Sequence, residues 1–328
     1  MRPPWIAVFC LLLALLCGPA LAQAPGANLE AWIARLHHGA QQNSYSGVLV
    51  MNAGSRVQSA RVLHIFDAGQ QIERVDALTG TPQITVRRNA QVLTLYPLSR
   101  VGVSEPWPSG ATFPQWPDAM DAAVGNWYGV RQLGFGRVLG MDAEVVELLP
   151  KDNLRFAYRV WAEAQSGLAL QLQTLDSRGR VLEQSSFINV QLLPRLRMRE
   201  VELMLPSIAA YQIQPAKPRS PLLDNKTWVF QTIPQGFRAQ GAYVLESPAG
   251  TNASDEPNVQ WMFSDGLAKV SVFAQAMTEG MRMREGLQAL GGATFSATRR
   301  MGSWAITAVG EAPPPTLQGF VQALARVK

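Results

Sequence analysis

The chain has 328 residues, a formal net charge of +5, three histidines and two cysteines. Both cysteines, Cys10 and Cys17, fall within the first 22 residues. A chain without cysteine after that point has no disulfide, no thiolate metal site and no cysteine nucleophile. Its basic residues are dispersed and do not interleave with aromatic residues, which excludes the usual pattern of a nucleic-acid-binding protein. Such a charge supports only mild attraction to acidic partners or anionic lipid head groups.

Residues 1–22 have the pattern of a secretory signal peptide. Arg2 is a short basic head, residues 6–16 form an apolar run too short to span a bilayer, and Ala-Leu-Ala at 20–22 fits a cleavage site. A lipoprotein would instead use Cys17 as the acylated residue, but Leu16 stands where a small residue is wanted. We therefore predict export to the periplasm and cleavage after residue 22.

The first predicted element of the mature chain is one amphipathic helix with Asn28 as its N-cap. Its apolar side, at helical spacing, is formed by Leu29, Trp32, Ile33 and Leu36. From Gly47 onward, short runs alternate apolar and polar residues and are bounded by Gly, Asn, Asp or Pro. This spacing is typical of an antiparallel meander.

Residues 101–128 are rich in Pro, Gly and Trp, and predict a helical or looped layer on the concave side of the sheet, with a short helix after Pro117. Residues 155–184, "RFAYRVWAEAQSGLALQLQTLDSRGRVLEQ", read as three strands joined by two turns. A last strand is predicted at residues 197–206. Nine to eleven strands with one or two helices, in this order, indicate the α+β class.

A change of composition divides the mature chain. We predict an N-terminal domain at 23–208, a proline-rich linker at 209–226 and a smaller C-terminal domain at 227–328. The C-terminal domain reads as an antiparallel sheet, with a turn at "SDGLA" (264–268), followed by a terminal helix. The apolar side of that helix is formed by Leu317, Phe320, Val321 and Leu324.

Catalytic and metal-binding patterns are missing from this sequence. His37 and His38 are neighbours on a helix, so their side chains point about 100° apart, and His64 lies in a strand. We interpret all three as surface or rim residues. Asp142 and Glu144 share a strand face, which we read as an ordinary polar edge rather than a catalytic pair. With no hydrolase, metalloprotease or nucleotide-binding motif, we predict no enzyme, no metal and no cofactor.

Three stretches carry a resemblance to a known family: "PKDNLRFAYRVW", "SGLALQLQTLDSRGRVLEQ" and "FSDGLAKVSVF". The chain resembles the MucB/RseB family of periplasmic negative regulators of the sigma-E stress response over nearly all of its mature length. The resemblance implies an N-terminal curved antiparallel half-barrel of the LolA/LolB type with plugging helices, and a smaller C-terminal sheet with a helix. Two features depart from the family: some relatives carry cysteines in the mature chain, and the segment 101–128 is unusually rich in Pro and Trp.

The same resemblance implies a function without catalysis. The family binds the periplasmic domain of a membrane-bound anti-sigma factor of the RseA/MucA type and protects it from site-1 proteolysis, and lipid or lipopolysaccharide releases it. An alternative is a lipid or lipoprotein carrier of the LolA/LolB type, which the N-terminal domain alone would fit. A secreted hydrolase is a third reading, disfavoured by the missing motifs. The sequence leaves homo-oligomerisation open.

Two sets of apolar residues are candidate sites. The strand faces around residues 156–172 alternate apolar with polar side chains and either hold an acyl chain, which gains about 0.8 kcal/mol per buried methylene, or pack against the protein's own helix. The candidate lipid pocket consists of Trp32, Phe156, Tyr158, Val160, Leu170 and Leu172. The candidate partner-binding residues are Trp261, Phe263, Leu267 and Phe273, which have the core of the C-terminal sheet as their alternative role.

Overall fold

The computed structural model describes residues 28–106, 124–194, 196–202, 205–216, 220–222, 227–245, 256–278, 280 and 283–327. The N-terminal helices are α1 (Leu29–Gln42), α2 (Val124–Trp127) and α3 (Met198–Glu202), with a 3-10 turn at Ile208–Ala210. The N-terminal strands are β1 (Tyr45–Ala53), β2 (Arg56–Asp67), β3 (Gln70–Ala77), β4 (Ile84–Arg88), β5 (Gln91–Tyr96), β6 (Val101–Pro106), β7 (Tyr128–Val138), β8 (Met141–Pro150), β9 (Ala157–Glu163), β10 (Ala169–Leu175), β11 (Val181–Leu192) and β12 (Gln212–Pro215).

These strands form one twelve-stranded sheet in the order β12-β6-β5-β4-β3-β2-β1-β11-β10-β9-β8-β7. Strands that are consecutive in the chain pair as antiparallel neighbours from β1 to β6 and from β7 to β11, as the period-two pattern predicts. The two meanders meet where β1 pairs with β11. The predicted three strands of residues 155–184 are β9, β10 and the start of β11.

Helix α1 lies inside the curve of this sheet. It contacts β2, β10 and β7, which are far apart in the strand order, so the sheet wraps around the helix. Asn28 caps α1 by accepting a hydrogen bond from the amide of Glu30 (2.9 Å), as predicted. The apolar side of α1 is buried at Leu29, Trp32, Ile33 and Leu36. Helix α1 can approach the sheet closely because Gly39, which has no side chain, lies directly against the backbone of Gly167.

The structure corrects two predicted elements of this half. Residues 198–202 form helix α3 rather than a strand, because Glu200 accepts from the amide of Arg197 (2.8 Å) and Asp67 accepts from the amide of Met198 (3.1 Å). The predicted linker contains β12, which pairs in parallel with β6 and brings the strand count to twelve. The helix expected after Pro117 is described only at its C-terminal end, as α2 (Val124–Trp127), and residues 107–123 of the Pro- and Trp-rich segment lie outside the described residues.

The C-terminal half is built on a second, seven-stranded sheet in the order β13-β15-β16-β17-β20-β19-β18. Its elements are β13 (Ser220–Pro221), β14 (Trp228–Phe230), β15 (Arg238–Leu245), β16 (Asn258–Ser264), β17 (Lys269–Ala276), β18 (Gly286–Gly291), β19 (Thr294–Met301), β20 (Trp304–Gly310), α4 (Pro314–Ala323) and β21 (Leu324–Arg326). The predicted apolar side of α4, from Leu317 to Leu324, is buried in one core with the sheet. The helix ends earlier than expected, because the chain after Ala323 pairs as β21 with β14.

The predicted α+β class, with a large curved sheet and a smaller C-terminal sheet carrying a helix, is confirmed, and the LolA/LolB type of the first sheet stays a prediction. The exact boundaries at 23–208, 209–226 and 227–328 stay a prediction. Within the described ranges, no helix has the length and apolar character that crossing a membrane requires.

Candidate binding site

The six candidate lipid-pocket residues lie in packed surroundings. Trp32 and Val160 are buried in one cluster, against which Leu172 packs, so α1 fills this part of the concave face. Tyr158 is buried in the adjoining cluster with Tyr128, and Leu170 belongs to a third cluster. Packing against α1 therefore explains the burial of Tyr158, Val160 and Leu172, whereas the cluster of Leu170 contains no residue of α1. A role in lipid binding stays a prediction.

Phe156 occupies a different place from the other five. Its ring is buried and lies 6.2 Å from the ring of Phe295, which belongs to β19 of the C-terminal sheet. This residue therefore contacts the other half of the molecule.

The four candidate partner-binding residues separate into three environments. Trp261 and Phe263 are buried in the C-terminal core, where Phe263 lies 4.8 Å from the ring of Phe320 in α4. Leu267 packs against the N-terminal cluster around Tyr128. Phe273 is half-buried between the buried residues Val272 and Ala274 of β17, and so lies on the opposite face of that strand. Partner contact by these residues stays a prediction.

The structure contradicts the interpretation of His64 as a surface or rim residue. Its side chain is 0% exposed, stacks on Tyr45 (5.2 Å between ring centroids) and has Nε2 3.1 Å from the carbonyl oxygen of Gln41. The end of α1 covers this strand, which the local sequence does not reveal. His37 is half-buried and His38 exposed, in accord with their interpretation.

Two carboxylates of the N-terminal sheet, those of Glu144 and Glu163, are bound by neighbouring side chains. Glu144 forms an ion pair with Arg35 of α1 (2.9 Å), while its neighbour in the proposed pair, Asp142, is exposed. Glu163 accepts from the amide (2.6 Å) and the hydroxyl (2.7 Å) of Ser166. Burial raises the pKa of the Glu163 carboxyl, but these bonds outweigh it and the pKa is lowered. Among the described residues, no group of three or more His, Cys, Asp or Glu is placed to hold a metal ion.

The two sheets meet at a buried polar contact centred on Arg155, which lies in the loop just before β9. We call the set Trp127, Tyr128, Arg155, Phe237 and Asp265 the joint. The side chains of Arg155 and Asp265 are both 0% exposed, and Nε of Arg155 lies 2.6 Å from Oδ2 of Asp265. A second nitrogen of the guanidinium donates to the carbonyl oxygen of Gln235 (2.6 Å).

The rings of Trp127 and Phe237 and the hydroxyl of Tyr128 complete the joint. The guanidinium carbon of Arg155 lies 4.8 Å from the ring of Trp127 on the N-terminal side and 5.2 Å from Phe237 on the C-terminal side. The hydroxyl of Tyr128 donates to Oδ2 of Asp265 (3.2 Å). Burial, with the charges of Tyr158 and Asp265, raises the pKa of Tyr128 well above its usual value, so the hydroxyl stays a donor.

An open cleft of about 370 Å³ lies where the loop before β9 faces α4. It is lined by Leu154, Gln231, Thr232, Pro234, Pro315, Gly319, Gln322 and Ala323. The hydroxyl of Thr316 donates to the carbonyl oxygen of Leu154 (2.7 Å) and so links the two walls. Seven of the eight lining residues thus belong to the C-terminal half, and the N-terminal half contributes Leu154.

Sequence reasoning missed the joint. Arg155 stands inside the opening of a predicted strand, and Asp265 was assigned to the turn "SDGLA", a role it does have because its Oδ1 accepts from the amides of Leu267 (2.9 Å) and Ala268 (2.7 Å). No local signal pairs two residues that are 110 positions apart in the chain.

Fold and joint together define an α+β protein in which a large curved sheet and a smaller sheet are held together by buried polar and aromatic contacts. The chain belongs to the MucB/RseB family: the sequence model of the MucB/RseB N-terminal domain matches residues 28–205, and that of the C-terminal domain matches residues 223–325. The family predicted from the sequence is thereby confirmed.

Known relatives match over most of the chain. The sigma factor AlgU regulatory protein MucB of Pseudomonas aeruginosa is 26% identical over 311 residues, covering 91% of each protein. The sigma-E factor regulatory protein RseB of Haemophilus influenzae is 24% identical over 288 residues, covering 85% of each. The structure of Pseudomonas aeruginosa MucB, solved in complex with MucA, aligns with a TM-score of 0.71 at 22% identity, covering 92% of this chain and 100% of that one.

Proposed function

We propose that this chain is a periplasmic negative regulator of the extracytoplasmic, sigma-E type stress response. It binds the periplasmic segment of a membrane-bound anti-sigma factor similar to RseA or MucA and protects that segment from site-1 proteolysis. The observation that carries this proposal is the match of both family domains in succession, from residue 28 to residue 325. The predicted leader at residues 1–22 supports the periplasm as the location.

The C-terminal half favours a regulator over a lipid or lipoprotein carrier. A carrier of the LolA/LolB type needs only the curved N-terminal sheet. This chain adds a seven-stranded sheet with its own core and a buried contact to the first sheet. A second folded half supplies a surface for a protein partner.

Binding without catalysis is part of the proposal. Motifs for hydrolysis are missing from the sequence. Asp142 and Glu144, which share a strand face, have different surroundings: Glu144 forms an ion pair with Arg35, while Asp142 is exposed. Release by lipid or lipopolysaccharide is also proposed. Because α1 fills the concave face around Trp32 and Val160, an acyl chain at that place has to displace the helix.

The test uses the mature chain and the periplasmic segment of the MucA-like anti-sigma factor of the same organism. Isothermal titration calorimetry is expected to give a micromolar or tighter Kd, about −8 kcal/mol or better. Equimolar protein is expected to slow cleavage of the segment by the site-1 protease. Added lipopolysaccharide is expected to restore cleavage.

An unrelated extended peptide of the same length and net charge serves as the control and is expected not to bind. If the protein ignores the anti-sigma segment but extracts a fluorescent dodecanoic acid from vesicles, the carrier function replaces the regulator. Turnover of an ester or glycoside that disappears on Glu144→Gln would instead establish an enzyme.

A further inference from the structure

The joint fixes the two sheets through groups that are themselves held rigidly. On the N-terminal side, Arg155 forms an ion pair with Asp152 and lies against Trp127. On the C-terminal side, the turn amides of Leu267 and Ala268 hold Oδ1 of Asp265, which leaves Oδ2 for Arg155. Because neither side chain has freedom to follow the other, the ion pair forms in one relative position of the sheets.

Burial also makes partial separation of the joint unfavourable. Arg155 and Asp265 have no solvent contact, so water cannot replace the ion pair gradually as the sheets move. A small displacement leaves a buried charge without its partner, which is strongly unfavourable. Separation of the pair is therefore expected to be all-or-none, with both charges hydrated once they are apart.

Backbone geometry keeps the C-terminal loop close to Arg155. Gly236 has a φ of +86° and no room for a side chain, since a Cβ at this position would collide with the guanidinium of Arg155 and with the ring of Trp127. The loop that supplies Gln235 and Phe237 can therefore reach the guanidinium only with glycine between them. This gives a way of opening the joint without removing either charge.

The other contacts between the sheets are smaller. The carboxylate of Glu183 in β11 accepts from the amide of Ala293 (3.2 Å), and the ring of Phe156 meets that of Phe295. The bond from Thr316 to Leu154 borders the cleft. Separation at the joint thus moves Leu154 relative to the C-terminal residues that line the rest of the cleft.

We propose that Arg155 and Asp265 form a latch that holds the two sheets in one relative position, and that the protein partner binds this latched form. The second part rests on the proposed function. Arg155 and Asp265 are positioning residues here, acting through the relative placement of surfaces from both halves.

The experiment measures the distance between the sheets and the affinity for the partner in the same full-length mature protein. The mature chain contains no cysteine, so spin labels at Ser99→Cys and Gln318→Cys, both exposed positions, report one distance across the two halves. Pulsed electron paramagnetic resonance is expected to give a single narrow distribution. Asp265→Asn and, independently, Gly236→Ala are expected to broaden this distribution and to lower the affinity for the anti-sigma segment at least about tenfold.

Asp176→Asn is the matched control. Asp176 accepts from two turn amides, those of Arg178 and Arg180, and pairs with an arginine, as Asp265 does, but all within one hairpin. Its distance distribution and affinity are expected to equal those of the parent protein. Circular dichroism and urea unfolding establish that each variant folds.

The outcomes separate the two parts of the proposal from each other and from the proposed function. An unchanged distribution in both variants overturns the latch, and so does complete unfolding of both, which would make the joint a folding element. Broadened distances with unchanged affinity overturn the coupling to partner binding. Failure of the parent protein to bind the segment removes the proposed function, while the distance measurements still decide on the latch.

Discussion

At the scale of single residues, the buried carboxylate of Glu147 is paired with arginines of the two neighbouring strands. Glu147 of β8 is almost fully buried and accepts from Arg159 through Oε1 (2.6 Å) and from Arg131 through Oε2. These residues are cross-strand neighbours, since Glu147 lies opposite Arg131 on one side and Arg159 on the other. Burial raises the pKa of Glu147, but the bonds to Arg131 and Arg159 dominate and the pKa is lowered.

Replacing Glu147 by Gln tests this pairing. Because both arginines are partly exposed and can be hydrated, we expect a loss of about 1–2 kcal/mol in the free energy of unfolding at pH 7. A lowered carboxyl pKa stabilises the fold above the unfolded value, near 4.3, and this contribution is lost as the pH falls through the folded value. The difference between the two proteins in urea unfolding should therefore shrink below about pH 4. A difference that is the same at pH 7 and pH 3 would show that the charge on Glu147 is not responsible.

At the scale of elements, α1 is held to the sheet by steric fit as well as by apolar burial. Gly39 in its last turns faces the backbone of Gly167 and the amide of Leu168. Arg35 spans the same contact and donates to the carbonyl oxygen of Ala164 (2.7 Å). The helix thus approaches the β9–β10 turn more closely than any residue with a side chain would allow.

Gly39→Ala is expected to push α1 away from this turn. The added methyl group meets rigid backbone, so we expect a loss of about 1–3 kcal/mol despite the better helix propensity of alanine. Urea unfolding measures the loss. Gly125→Ala in α2 is the control, because no atom lies within 4 Å of its added Cβ, and its stability should stay within about 0.5 kcal/mol of the parent. Equal stability of the two variants would contradict close packing at Gly39.

At the scale of the whole molecule, the segment between the halves is tied to both sheets. Strand β12 pairs in parallel with β6, and β13 pairs with β15 of the C-terminal sheet. The amide of Gln212 donates to the carbonyl oxygen of Arg100 (2.8 Å), and the amide of Ala216 donates to that of Ser104 (2.7 Å). Ile213 supports the pairing because its side chain lies over Gly102. This segment therefore restricts how far the halves can separate.

Ile213→Asp is expected to release β12 from β6. The Ile213 side chain is 41% exposed, and a carboxylate in its place loses the apolar contact over Gly102 and favours full hydration away from the strand. Hydrogen exchange of the Gln212 and Ala216 amides should accelerate at least about tenfold, while β2 and β3 exchange as before. Gln214→Asp puts the same charge on the other side of β12 and should leave exchange nearly unchanged. Retained protection in Ile213→Asp would show that Ile213 does not hold the strand.

Some of the fold follows from short-range patterns. One of the two turns predicted within residues 155–184 lies at Asp176–Gly179, where Asp176 accepts from the amides of Arg178 (2.8 Å) and Arg180 (2.9 Å) and Gly179 has a φ of +75°. The apolar sides of α1 and α4 were likewise read from helical spacing. In each case the pattern that predicts the element lies within a few neighbouring residues.

The failures share one cause, which is distance along the chain. His64 appeared to be a rim residue, and residues 198–202 appeared to be a strand, because the covering residue Gln41 and the capping residue Asp67 come from other elements. The same holds for β12, whose partner β6 lies more than 100 residues earlier.

The amino-acid sequence by itself determined most of the strand and helix pattern, the α+β class, the family and the confinement of both cysteines to the first 22 residues, because periodicity, turn residues and composition act locally. Only the tertiary structure decided that α1 fills the concave face, that β12 extends the sheet and that Arg155 meets Asp265. Burial removes water from these contacts, and a charge or a strand edge finds its partner only when segments far apart in sequence are brought together.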